Sequence, residues 1–136
     1  MCLAVRFKRK SGRRTGYKVL FQHDKEDGLF TGTCGAGQVR LGPDYIIDPN
    51  TEPIRGWDQK GIYHYPAGFS ISGRLEDAKL IQRHQGGVIC KVAFKDEVAY
   101  GRVHWTWWTG MEVNAPQEVF TTTIIARQCK VLRAYD

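Results

Sequence analysis

Apolar and polar residues alternate with a period of two through most of this chain, which predicts strands over the greater part of its length. Residues 3–8 and 17–21 are β-rich runs. Between them, residues 9–16 are polar and hold two glycines, so the pattern predicts a β-hairpin over about 3–22 with its tip in that segment. Further strands follow at 29–32, 38–41 and 45–47, the first two separated by a glycine-rich bend at Gly32, Gly35 and Gly37. Residues 48–60 hold Pro49, Pro53 and Gly56 and predict a long irregular loop. Short strands at 62–65 and 69–72 straddle Pro66-Ala67-Gly68.

One helix stands out, over about 75–85. Ser72 or Gly73 can cap it, Glu76 and Asp77 complement the dipole in its first turn, and Gly86-Gly87 stop it. Strands at 88–94, 98–108 and 119–132 complete a strand-rich second half. The expected fold is α+β: one domain over 1–136, mostly antiparallel twisted sheet, with the helix packed on a face. With 136 residues, 42% apolar content and 12% aromatics, the chain can fill one core.

Charge changes the picture. Arg6, Lys8, Arg9, Lys10, Arg13, Arg14 and Lys18 are seven basic residues with no acid among the first eighteen positions. The whole chain holds 20 basic and 14 acidic residues, so without those seven it holds 13 against 14, a net of −1. A like-charge run repels itself, and an anionic partner relieves the repulsion by releasing counterions. The reading is therefore a small basic binding protein whose hairpin engages nucleic acid, or a complex that handles it. The alternative is a protein inhibitor or adaptor that blocks a host defence complex through an acidic surface.

Aromatics add a second candidate surface. In His104-Trp105-Thr106-Trp107-Trp108, Trp105 and Trp107 share one face of a strand and Trp108 the other, so at least one indole lies away from a single buried face. Core packing under the 48–60 loop is one account, with the Trp105–Trp107 face set against Leu75, Ala78 and Ile81 of the helix. A stacking platform or binding hot spot is the other.

No motif spells out a reaction, and no cofactor is implied. Cys2, Cys34, Cys90 and Cys129 read as free thiols in a reducing compartment, with Cys90 and Cys129 inside strand patterns. The cysteines and His23, His64, His84 and His104 show no ligand spacing, so no metal is expected. Gly32 to Gly37 lacks the Lys-Ser/Thr ending of a phosphate loop. No apolar run reaches the roughly 18 residues of a membrane span, and the first residues are too quickly charged for a signal peptide, so a cytoplasmic protein is expected.

The second half carries a resemblance. Gly68-Phe69-Ser70-Ile71-Ser72, Leu75-Glu76-Asp77-Ala78, Val88-Ile89-Cys90-Lys91-Val92, Val98-Ala99-Tyr100-Gly101 and Ala126-Arg127-Gln128-Cys129-Lys130-Val131-Leu132 resemble a group of small bacterial and phage domains of unknown function. That resemblance implies a strand, a glycine-aromatic corner, a helix and closing strands, with a phage or bacterial origin and, if phage-encoded, action in the host cytoplasm. It implies no activity. A weaker similarity, to ADP-ribosyltransferases, rests on Ser70-Ile71-Ser72 and Gln117-Glu118 and implies an enzyme with Glu118 as its carboxylate.

Overall fold

The computed structural model describes residues 3–6, 14–23, 25–32, 38–58, 61–107 and 117–135. Within them the period-two runs form strands β1 (Leu3–Arg6), β2 (Arg14–Gln22), β3 (Leu29–Gly32), β4 (Gln38–Arg40), β5 (Asp44–Ile46), β6 (Ile54–Asp58), β7 (Gly61–Tyr65) and β8 (Phe69–Ile71). Helix α1 (Leu75–Gln85) follows, then two long strands, β9 (Val88–Trp107) and β10 (Gln117–Ala134). Strand predominance, one short helix and antiparallel pairing agree with the α+β expectation.

β9 and β10 pair antiparallel from Gln117 opposite Trp107 to Ala134 opposite Cys90. Strands of 20 and 18 residues exceed the usual strand length several-fold. Register shifts between Ile125 and Ala126 and between Val131 and Arg133 relieve them, since a bulge adds twist and bends the ladder. Asp96, at φ 60°, marks the bend on β9; aspartate is among the few residues that tolerate that left-handed conformation.

Each half of this ladder takes its own neighbours. β2 lies along β9 from Arg14 opposite Phe94 to Leu20 opposite Val88, and β1 lies along the same strand from Leu3 opposite Val103 to Arg6 opposite Tyr100. On the other side, β10 takes β8 at Ile124–Ala126 and β5 at Gln128–Lys130. β3 and β4 continue outward from β2. Two contacts then curl the sheet toward closure: Tyr17 and Ser72 exchange backbone hydrogen bonds of 2.8 and 2.7 Å, and the Gly42 N–H donates to the Val131 carbonyl at 3.0 Å. β6 and β7 pair separately as a hairpin.

Inside the curl, Leu20, Phe30, Val39, Ile71, Val92, Phe94 and Val131 form the main core, with Cys90 and Cys129 among them. α1 packs outside it, burying Ala78 against Val19 and Ile89, with Tyr17, Leu75, Ile81 and Tyr135 at the margin. Gly86, at φ 81°, terminates the helix as the glycine pair predicts.

Several expectations are corrected. No 3–22 hairpin forms: β1 and β2 do not pair but succeed each other along one edge of β9, because that long strand offers more partner backbone than a short neighbour could. The 48–60 loop is shorter than expected, since β6 begins at Ile54. The helix N-cap is Arg74, with no side-chain hydrogen bond, rather than Ser72 or Gly73. α1 covers the Val88 end of β9, far from Trp105 and Trp107. Among the described residues no helix is long and apolar enough to cross a membrane.

Gly16 sits where β2 meets the end of β8. An added Cβ would lie 2.8 Å from the Ser72 carbonyl oxygen and 2.9 Å from Ile71 Cγ2, whereas at Gly73 the nearest atom is 3.5 Å away. Gly16→Ala is expected to cost about 1–3 kcal/mol and Gly73→Ala less than about 1 kcal/mol. Denaturant unfolding of the two variants checks this contrast.

Burial raises the Asp77 carboxyl above its usual range, partly offset by Arg74 and by the Thr122 backbone N–H. The folded state thus holds this proton more tightly than the unfolded chain. The associated stability is present below the unfolded value of about 3.9 and is lost as pH rises through the folded one. Asp77→Asn, which can still accept from Thr122, is expected to be more stable than the parent at pH 7, the gap closing toward pH 3. Thermal melts across that range check the sign.

Candidate functional site

The residues singled out from sequence separate in space. Arg6 ends β1 opposite Tyr100 and Arg14 begins β2 opposite Phe94, so these two described residues lie on either side of the Asp96 bend in register. Lys8, Arg9, Lys10 and Arg13 lie outside the described residues. Arg14 Nη1 is 2.7 Å from Glu97 Oε1, and its guanidinium stands 5.7 Å from the centre of the Phe94 ring. Glu97 is buried, and its Oε2 has no hydrogen-bond partner.

Lys18 requires a correction. It shares the inner face of β2 with Leu20, is 7% exposed, and donates from Nζ to the Ser70 carbonyl at 2.8 Å. Its ammonium is therefore inside the curled sheet, where it cannot meet an external partner.

The other candidates do not assemble either. Trp105 and Trp107 lie on β9 opposite Val119 and Gln117, and Trp108 is outside the described residues. Ser70 pairs with Ile125 while Glu118 pairs with Thr106. Those positions are seven residues apart along β10, roughly 23 Å at about 3.3 Å per residue. The Ser-x-Ser strand and Glu118 thus do not converge.

The structure assembles a different set of cations. Directly opposed residues in a ladder share a face. Phe94, Val92 and Cys90 point into the core, so Lys91 and Lys95 point outward, and so do their partners on β10, Arg133 and Gln128. Lys130, opposite the outward Ala93, joins them. Lys91, Lys95, Lys130 and Arg133 therefore occupy one outer strip, at spacings of about 5 Å across the strands and about 7 Å along them. None of the four has a carboxylate ion-pair partner among the described residues. Asp44, opposite Lys130 on β5, is the acid nearest in register.

Two tyrosines tie the strip to the helix. The Lys91 ammonium stands 4.4 Å from the centre of the Tyr17 ring, Tyr17 meets Tyr135 edge-on at 5.7 Å, and the Arg133 guanidinium is 5.9 Å from the Tyr135 ring centre. Cations over ring faces are held without being neutralised. Beside Tyr135 runs a groove of about 430 Å³, with Val88 and Ile89 as its apolar floor and Lys79 and Gln82 of α1 on its bank. Polar anchors, an aromatic edge and an apolar floor together suit a flat, partly apolar group attached to an anion.

The sequence marks Lys91 and Lys130 only as neighbours of cysteines. Those cysteines prove chemically quiet: burial pushes both thiols up to about 11, and the Lys18 ammonium only partly opposes this at Cys129. Cys2 and Cys34 lie outside the described residues. Among the described residues no cluster of His, Cys, Asp or Glu could hold a metal ion. Comparison with family models, curated proteins and solved structures finds no match.

Proposed function

We propose that this protein binds nucleic acid across the outer face of β2, β9 and β10. Phosphates are held by Lys91, Lys95, Lys130 and Arg133, with the basic residues between Arg6 and Arg14 adding further contacts. The observation that carries the reading is four cations on one strip without paired carboxylates. In the free protein such a strip is self-repelling and gathers counterions, and a polyanion laid along it gains affinity by releasing them. The adjoining groove beside Tyr135 accepts an unpaired base, since stacking on an aromatic side chain is tolerant of sequence. This favours single-stranded nucleic acid.

Fluorescence anisotropy with a labelled single-stranded oligonucleotide tests the reading. Changing Lys91, Lys95, Lys130 and Arg133 together to glutamine is expected to weaken binding at least tenfold at low salt. The slope of log affinity against log salt should fall by roughly 3, at about 0.7 per phosphate contact. Serine at Arg9, Lys10 and Arg13 should lower both quantities further. Lys18→Met should change neither, because its ammonium faces the core. Unaltered affinity in the quadruple variant refutes the proposal, and equal binding to polyglutamate of matched charge would reassign the face to acidic protein surfaces.

A further inference from the structure

A second hollow, of about 300 Å³, lies away from the cationic strip, between the turn that follows β5, the end of β7 and β10. Pro49, Pro53 and Pro66 form apolar walls, and Asp48, His64 and Arg127 also line it. Proline fixes φ, so these walls lose little freedom when a ligand enters. The Pro66-Ala67-Gly68 side is further pinned by close packing: an added Cβ on Gly68 would meet Ile125 Cγ2 at 2.6 Å and the Ala126 carbonyl oxygen at 2.8 Å.

Its charges are arranged unusually. Arg127 uses its backbone carbonyl to accept from the Ile47 N–H at 2.8 Å, but its guanidinium has no ion-pair partner among the described residues. Asp48 accepts the Asn50 N–H on Oδ1 at 2.8 Å, which leaves Oδ2 available. An arginine and an aspartate thus line one small hollow without bridging each other. A simple anion would satisfy Arg127 but face Asp48, and a simple cation would do the reverse. A ligand carrying both signs with a compact apolar body satisfies both and fits the proline walls.

We infer that this hollow binds a small zwitterion, a free α-amino acid with an aliphatic side chain, its carboxylate on Arg127 and its ammonium on Asp48. The site is independent of the nucleic-acid face and stands or falls separately from it.

Calorimetric or NMR titration with L-leucine, leucinamide, N-acetyl-leucine and inorganic phosphate tests the inference on the unmodified protein. Leucine is expected to saturate, with leucinamide and N-acetyl-leucine each at least about tenfold weaker because each lacks one charge. Arg127→Gln should weaken leucine by about tenfold yet barely alter leucinamide. Asp48→Asn, which preserves the turn to Asn50, should weaken leucine similarly yet barely alter N-acetyl-leucine. Oligonucleotide affinity should be unchanged in both variants. Absence of saturable leucine binding, equal binding of leucine and its two derivatives, or preference for phosphate would each overturn the inference.

Discussion

The antiparallel ladder between β9 and β10 is the constraint on which the remaining structure depends. With pairing from Gln117 opposite Trp107 to Ala134 opposite Cys90, the ladder decides which face every later residue occupies. A flat pair of this length would splay its neighbours apart, whereas the two register shifts bend it until Tyr17 reaches Ser72 and Gly42 reaches Val131. The ladder also forces β1 and β2 into a single file. Together they occupy one edge of β9, on either side of the Asp96 bend.

That geometry explains the charges inside the fold. The bend changes the facing of β9, so that Lys95 is exposed while Glu97 is buried, its backbone opposite Ala126. A buried carboxylate is costly without a partner, and Arg14, the first residue of β2, supplies one. Lys18 answers a comparable problem by donating to the Ser70 carbonyl, which links β2 to β8 within the closing part of the sheet. Two members of the amino-terminal basic cluster thus serve the fold, and the cations of the outer strip come from elsewhere in the chain.

Local features were legible in the sequence, and long-range ones were not. The helix was readable because its stop, Gly86-Gly87, and its acidic first turn are encoded within a few residues of the element they bound. Its capping was not, because Arg74 holds the N-cap position without any side-chain bond. Most strands follow from period-two patterning, but their partners do not. The 3–22 hairpin rests on sequence proximity, and loop-closure entropy does favour near neighbours, yet β9 offers both segments a longer ladder. Lys18 shows a different failure: alternation already places it on the face of Leu20, but its charge suggests the surface. The strip of Lys91, Lys95, Lys130 and Arg133 depends on pairing residues some forty positions apart, which no local pattern encodes.

The charge distribution therefore acts at two levels. Along the sequence, the excess lies in the first eighteen residues. In space, Lys18 is internal, Arg14 is tied to Glu97, and the outer strip of β9 and β10 presents four further cations. A chain whose later 118 residues are nearly neutral still presents four cations on one strip, because six of its 14 acids lie in the turn at Glu26 and Asp27, at Asp48 and Glu52, and in the first turn of α1. Segregation of sign, rather than net charge, produces a directional field. Arg14, opposite Phe94, begins β2 one residue from the level of Lys95.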